Sequence, residues 1–101
     1  MTNYSRGAAF EHSVMDALKR KGYYVIRSAG SHGEVDLAAF RADTSPWFIQ
    51  CKLDGYLSPA ERRELWDTCR RNDAVPIKAM RNKGIRFYRM ISDKEWEEVK
   101  P

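Results

Sequence analysis

Two polar residues lie two positions apart in a short apolar segment, FIQCKL (Phe48–Leu53). Successive side chains of a strand alternate between its two faces, so Gln50 and Lys52 share one face. Ile49 and Cys51 share the other face. An amide and an ammonium side by side on an otherwise apolar strand call for a chemical explanation.

Two carboxylates elsewhere in the chain are placed to join this pair. Asp36 lies within a second apolar segment, and we expect the two segments to pair as strands and bring Asp36 beside Gln50 and Lys52. Glu11 directly follows Phe10 on a predicted helix, so it borders the apolar stripe that packs onto the sheet. The sequence therefore predicts that two carboxylates, an amide and a lysine converge.

Such a set of groups suits magnesium-dependent hydrolysis of a phosphodiester. Mg²⁺ prefers hard oxygen ligands from one or two carboxylates, together with waters and a substrate phosphate. We expect Glu11 and Asp36 to supply the negative charge. The Gln50 amide oxygen and the Cys51 backbone carbonyl would complete the protein ligands. Lys52 would orient or deprotonate the attacking water and stabilise negative charge in the transition state.

Each of these residues also has an ordinary structural explanation. An acid beside a helix stripe is usually solvated, so Glu11 alone indicates little. Asp36 could cap a turn if its strand begins later than predicted. Gln50 and Lys52 could face solvent on a half-exposed strand. The combination favours the catalytic interpretation, because each residue lies on the element that the chemistry requires.

The elements that must position these residues follow from hydrophobic periodicity and turn signals. Apolar residues at helical spacing predict a first helix over about Arg6–Lys21. Three predicted strands follow, at Tyr23–Ser28, Glu34–Arg41 and Trp47–Leu53. A capping box from Ser58 to Glu61 opens a second helix that ends near Asn72.

Two further strands and a short helix complete the predicted fold. The strands cover Ala74–Met80 and Ile85–Ile91. Pro76 indicates an edge strand or a bulge in the first of them, and a second capping box at Ser92 predicts a short terminal helix through Val99. The predicted fold class is α/β, a mixed five-stranded sheet flanked by helices in the order helix, three strands, helix, two strands, helix.

Length and composition indicate one domain with an anionic partner. The chain has 101 residues, 43% hydrophobic and 32% charged, which predicts a single domain over residues 1–101. It has no apolar run near the roughly 20 residues needed to cross a bilayer, and we expect a cytoplasmic protein without a membrane partner. The formal net charge is +4, and 11 of the 18 basic residues are arginine, a balance that favours nucleic acid.

Four short motifs resemble those of a known family. They are Arg6-Gly7-x-x-x-Glu11, Arg27-Ser28-Ala29-Gly30-Ser31, Val35-Asp36-Leu37 and Ile49-Gln50-Cys51-Lys52. Together they look like the archaeal-type Holliday junction resolvases (Hjc-like) of the PD-(D/E)XK nuclease superfamily. The resemblance implies a restriction-endonuclease-like fold and a homodimer that binds four-way DNA junctions. It also implies paired nicks in two opposing strands with Mg²⁺, for which Mn²⁺ would substitute.

The resemblance also implies roles for individual residues. Glu11 and Asp36 match metal ligands, Gln50 matches the second acidic position, and Lys52 matches the catalytic lysine. Contacts with DNA are expected from Arg6, Arg27 and Ser31 of the motifs. Arg62 and Arg63 on the second helix are further candidates for DNA contacts, with a solvated helix face as the alternative.

Two positions depart from the family pattern. Val35 stands where the family has proline, and Gln50 stands where it usually has glutamate. A neutral amide still ligates a metal through oxygen, but the loss of a negative charge should weaken metal binding. Glu34 has the same strand parity as Asp36 and is a hypothetical compensating carboxylate.

Other functions stay open on the sequence alone. A nuclease of the same fold could act on flaps, nicks or duplex sites, and an RNA-directed nuclease is a further alternative. A DNA-binding module without turnover is an alternative from another class, with Gln50 marking the lost activity. Substrate preference separates the nucleases from one another, and metal-dependent cleavage separates them from the binding module.

Overall fold

The computed structural model describes residues 3–28 and 35–101, and the side chains from Arg6 onward. Two helices and six strands lie in these ranges. The helices are α1 (Asn3–Arg20) and α2 (Pro59–Arg71). The strands are β1 (Tyr24–Arg27), β2 (Leu37–Phe40), β3 (Trp47–Cys51), β4 (Val75–Arg81), β5 (Ile85–Met90) and β6 (Trp96–Val99).

The six strands form one sheet in which the spatial order equals the order along the chain. Neighbouring strands are antiparallel at β1–β2, β2–β3, β4–β5 and β5–β6. The β3–β4 pair is parallel, because the chain returns through α2 between these two strands. The predicted mixed sheet flanked by helices is confirmed, with six strands in place of the five predicted.

The predicted terminal helix is wrong, because its residues form strand β6. The Ser92 pattern makes a local turn instead, in which the Lys94 N–H donates to Ser92 Oγ (3.4 Å) and the Glu95 N–H donates to the Ser92 carbonyl (3.4 Å). The chain beyond this turn then pairs with β5, with Trp96 opposite Met90. A single helical turn has little stability of its own, whereas the edge of β5 offers partners for the backbone groups.

The prediction that Pro76 marks an edge strand is also wrong, because β4 lies between β3 and β5. The Val75 N–H donates to the Pro46 carbonyl (2.8 Å), so the nitrogen of the next residue points away from β3 and towards β5. Pairing between β4 and β5 begins only at Ile77. Pro76 therefore lies where its missing N–H costs no ladder hydrogen bond.

Each helix covers one face of the sheet with its own group of buried residues. The α1 side contains Phe10, Val14, Leu18, Leu37, Ile49 and Ile77. The α2 side contains Leu57, Leu65, Cys69 and Met90, with Phe48 packed against them. Ile49 and Phe48 thus point to opposite faces, as the predicted alternation along β3 requires. No helix within the described ranges is long and apolar enough to span a membrane.

Candidate active site

Asp36 is held at the end of the β2–β3 pair. It directly precedes β2, so the prediction of a mid-strand position is corrected, but its N–H still donates to the Ile49 carbonyl (2.9 Å). The register of Leu37 opposite Ile49 therefore continues, and it brings Asp36 opposite Gln50. The Asp36 Oδ2 atom accepts a hydrogen bond from the Cys51 N–H (2.8 Å). The carboxylate is thus fixed by the backbone of β3.

The charges around Asp36 show which of the predicted residues come together. Burial raises the pKa of Asp36 above its ordinary value, against the effect of the Cys51 N–H bond, which lowers it. The negative charge of Glu11 raises the pKa of Asp36 further, and the positive charge of Lys52 lowers it. The structure therefore brings Glu11, Asp36 and Lys52 within electrostatic reach of one another.

Glu11 reaches the site from α1 and forms an ion pair with the last residue of β1. The Arg27 Nε atom donates to Glu11 Oε1 (2.9 Å), and the two side chains are 35% and 22% exposed. Glu11 therefore lies at the border of the α1 apolar stripe, as predicted. Arg27, which we expected to contact DNA, lies at the site itself.

Lys52 follows β3 and forms an ion pair with α2. Its backbone N–H donates to the Ala79 carbonyl of β4 (2.9 Å), and its Nζ atom lies 2.6 Å from Glu61 Oε2. Burial raises the pKa of the Glu61 carboxyl, but the hydrogen bonds from Lys52 and Ser58 outweigh this effect and leave the pKa below its ordinary value. Sequence reasoning missed Glu61 as a site residue, because its role in the capping box already accounted for it.

Gln50 and Cys51 point to opposite sides of β3. Gln50 is buried, with 9% of its surface exposed, and it lies opposite Lys78 in the parallel β3–β4 register. The Cys51 side chain packs against the α1-side core. Burial, with the charges of Asp36 and Glu11, raises the pKa of the Cys51 thiol well above its ordinary value. The thiol is therefore a poor ligand, and the backbone carbonyl is the donor that Cys51 can offer.

The donors at this site fit a hard divalent cation with few protein ligands. Two carboxylates, an amide and a backbone carbonyl provide only oxygen donors, the type that Mg²⁺ and Mn²⁺ prefer. Burial, and to a smaller extent the charge of Glu11, raises the pKa of Asp36, and a bound cation would favour the ionised carboxylate. Within residues 3–28 and 35–101, no three His, Cys, Asp or Glu side chains cluster as a metal cage. A cation here would keep several waters.

The other predicted DNA contacts lie outside this cluster. Arg6 is exposed on α1 and lines a shallow pocket with Phe10 and Arg81. Arg62 donates from Nη1 to the Leu57 carbonyl (2.7 Å), and only 18% of its side chain is exposed. Arg63, on the same helix, is exposed. Ser31 and Glu34 lie outside the described residues.

Comparison with known proteins identifies the family of the chain and solved structures of similar fold. The model of the archaeal Holliday junction resolvase (Hjc) family matches residues 2–99. A solved structure of Archaeoglobus fulgidus Hjc, a Holliday junction resolvase from an archaeal hyperthermophile, matches with a TM-score of 0.70 and 25% sequence identity. The match covers 81% of this chain and 70% of that chain. No curated protein sequence matches the chain.

Proposed function

The chain belongs to the family of archaeal Holliday junction resolvases, and from this membership we propose an endonuclease that resolves four-way DNA junctions by paired nicks in opposing strands. The observation that carries the proposal is the position of the Asp36 carboxylate. The Cys51 N–H fixes this carboxylate, and the charges of both Glu11 and Lys52 act on it. Metal-dependent hydrolysis of a phosphodiester needs carboxylates that hold the cation and a nearby positive charge that stabilises the transition state.

We propose that the cofactor is Mg²⁺, with Mn²⁺ as a substitute. Glu11 and Asp36 would hold it with their carboxylates, and Gln50 and Cys51 with an amide and a backbone carbonyl oxygen. A divalent cation bound here supplies Lewis acidity towards the scissile phosphate and the attacking water. The Cys51 N–H already fixes one oxygen of Asp36, so this ligand needs little reorganisation.

The proposed role of Lys52 follows from its charge and its neighbours. Its positive charge lowers the pKa of Asp36, so it reaches the carboxylate that would hold the cation. From this position Lys52 orients the attacking water and stabilises the negative charge that develops on the phosphate oxygens. The neutral Gln50 leaves the site with less negative charge than a glutamate would, and we expect a higher metal requirement.

DNA contacts are proposed for five residues on the basis of charge and motif position. They are Arg6, Arg27, Ser31, Arg62 and Arg63. The exposed guanidinium groups of Arg6 and Arg63 are free to approach phosphates directly. Arg27 would contact a phosphate close to the cleavage point, because it lies beside Glu11.

We propose that the protein acts as a homodimer of single-domain subunits, each spanning residues 1–101, in the cytoplasm. Support for a dimer surface comes from three exposed apolar side chains on one face of β1 and β2. Tyr24 is 70% exposed, Ile26 48% and Phe40 38%, and Tyr24 lies opposite Phe40 in the strand register. A second copy of the chain would cover this face. We expect a dimeric mass by light scattering and a monomeric mass for Ile26→Arg.

A cleavage assay with a labelled four-way junction tests the proposed activity. We expect paired symmetric nicks in the junction with Mg²⁺ or Mn²⁺, and no cleavage of a matched linear duplex or of either DNA without metal. Lys52→Ala should lower the single-turnover rate by at least about 100-fold, the usual cost of losing one electrostatic stabiliser. Junction affinity should persist.

The control variant is Lys94→Ala, which removes an exposed lysine with the same change in net charge. It should cleave at the wild-type rate. Tight junction binding by the wild type without cleavage in either metal would favour a binding module over an enzyme. Equal cleavage of flaps, nicks or duplex would favour a nuclease of different substrate preference.

A further inference from the structure

The Glu61 carboxylate connects two parts of the molecule. Its Oε1 atom accepts a hydrogen bond from the Ser58 N–H (2.9 Å), and its Oε2 atom lies 2.6 Å from the Nζ atom of Lys52. Each oxygen therefore has a different partner, one on the backbone at the start of α2 and one at the proposed catalytic site.

The start of α2 and the turn that precedes it hold Glu61 in place. Glu61 is the third residue of α2, and its own N–H donates to Ser58 Oγ (3.1 Å), so the capping box closes in both directions. The chain that leads from Lys52 to Ser58 turns at Gly55, whose φ of 79° favours glycine. A Cβ atom at Gly55 would lie 2.6 Å from the Met80 sulfur, so this turn is also tightly packed.

Lys52, by contrast, carries its charge on a flexible side chain. A lysine side chain has about 2 kcal/mol of rotamer entropy, so an ammonium without a partner samples many positions. The pair with Glu61 limits this sampling. Lys52 follows Gln50 by two residues on the same face of the β3 segment, and the strand register brings Gln50 opposite Asp36. The paired conformation is thus one in which Lys52 faces the site.

We propose that Glu61 is a positioning residue for cleavage, which holds the Lys52 ammonium beside Asp36 from the fixed start of α2. This inference rests on the proposed function, because it assigns Glu61 a task only if Lys52 takes part in hydrolysis. In this role Glu61 acts through the Lys52 ammonium, with which its Oε2 atom is paired. The Glu61 side chain, held by the Ser58 N–H, thereby serves both the helix cap and the reaction.

Glu61→Gln separates these two tasks. Glutamine at this position still accepts the Ser58 N–H, because a capping box uses Glu or Gln, but it carries no charge for Lys52. We expect Tm to change by no more than about 2 °C and the single-turnover cleavage rate at saturating junction and Mg²⁺ to fall about 10- to 100-fold, the cost of a misplaced catalytic group. Junction Kd should stay within about twofold of the wild-type value, since hydrolysis rather than binding depends on Lys52.

Ser58→Ala is the matched control, because it breaks the cap and keeps the Glu61 charge. It removes the hydroxyl acceptor of the Glu61 N–H and leaves the Ser58 backbone N–H in place. We expect a lower Tm, since loss of a cap costs about 1 kcal/mol, with cleavage at 25 °C within about threefold of the wild type. Reductive methylation of the Lys52 amine, followed by mass spectrometry, should be faster in Glu61→Gln and unchanged in Ser58→Ala.

The outcomes separate this inference from the proposed function. A wild-type protein that does not cleave the junction overturns both. Cleavage that is lost in Lys52→Ala but kept in Glu61→Gln overturns the positioning role alone. A faster Glu61→Gln variant also overturns it, because the pair would then restrain Lys52 in an unproductive position. Equal losses in Glu61→Gln and Ser58→Ala would assign the effect to the stability of α2.

Discussion

Two groups of ion pairs in this molecule look alike but lie in different settings. The site pairs, Glu11–Arg27 and Lys52–Glu61, join a helix to the chain at the end of a strand, and their side chains are 22–35% exposed. The ribbon pairs, Arg86–Glu98 and Arg89–Glu97, join neighbouring strands β5 and β6, with side chains 36–48% exposed.

A contribution to stability does not explain the site pairs. Partly exposed ion pairs typically contribute about 0–1 kcal/mol to the free energy of unfolding, and both groups fall in this class. The site pairs, however, surround a partly buried carboxylate whose pKa is raised by burial and by Glu11. We propose that the site pairs matter because they position charged groups around Asp36. Removal of a site pair should therefore affect cleavage, and removal of a ribbon pair should not.

Asp36→Asn should give the largest difference between cleavage and stability. We expect the cleavage rate to fall by at least about 1000-fold, because a proposed metal ligand loses its charge. We expect Tm at neutral pH without metal to rise by a few degrees, since about 1 kcal/mol shifts Tm by about 4–8 °C in a small domain. Calorimetry and the junction assay measure the two effects.

The sign of the stability effect follows from the pKa of Asp36, which is raised above its ordinary 3.8. The folded protein holds this proton more tightly than the unfolded chain does. The contribution of Asp36 to stability is therefore greatest below pH 3.8, and it decreases as pH rises through the folded pKa. At neutral pH Asp36 is ionised, and the wild type carries the full free-energy cost of burying this charge. The Asn variant has no charge to bury.

The exposed Asp16 on α1 provides the control for this change. Asp16→Asn should leave both cleavage and Tm unchanged within about 2 °C. A fall in Tm for Asp36→Asn would mean that its bond to the Cys51 N–H matters more for the fold than its burial does. In that case Asp36 would stabilise the fold, and it would not be a functional residue that lowers the stability of the protein.

Arg27→Gln tests the first site pair and should have an intermediate effect. The guanidinium of Arg27 neutralises Glu11 and so opposes the approach of a cation to that carboxylate. Its removal should lower the Mg²⁺ concentration for half-maximal cleavage by about two- to fivefold, corresponding to an ion pair of at most about 1 kcal/mol. A metal titration at saturating junction measures this change. An unchanged midpoint would place the cation away from Glu11.

Glu97→Gln tests a ribbon pair and should have the smallest effect. We expect cleavage at the wild-type rate, and Tm within about 2 °C of the wild type, because the lost pair is exposed and joins β5 to β6, at the other end of the sheet from β1 and β2. Thermal unfolding and the junction assay provide the check. A loss of cleavage as large as that of the site variants would remove the distinction between the two groups.

The fold was largely predictable from local patterns, and the exceptions have physical causes. Alternation along Trp47–Ile49 and the Ser58 capping box are local signals, and both hold in the structure, whereas Gln50 is buried despite its polar side chain. The last strand was missed because Trp96 and Val99 fit helical spacing after a Ser92 cap. This segment forms a strand because the edge of β5 offers unpaired backbone groups, and the sequence does not reveal that edge.

The predicted site residues followed from strand parity, but their partners did not. Gln50 and Lys52 share a face by their spacing alone, and pairing of β2 with β3 brings Asp36 opposite Gln50. Arg27 and Glu61 contact the site through tertiary packing of a helix end against a strand end. Sequence spacing carries no signal for such contacts, and Glu61 already had a local explanation.

The parallel β3–β4 pair described above also has a consequence for the folding rate. The hairpins of this sheet join neighbouring strands, and such hairpins form in about 1–10 μs. Trp47 meets Val75 only after the whole of α2 has been enclosed in a loop, whose closure costs entropy. This pairing should therefore limit the rate of folding. The Lys52 N–H bonds to Ala79 across the same pair, so nuclease activity should appear last during refolding.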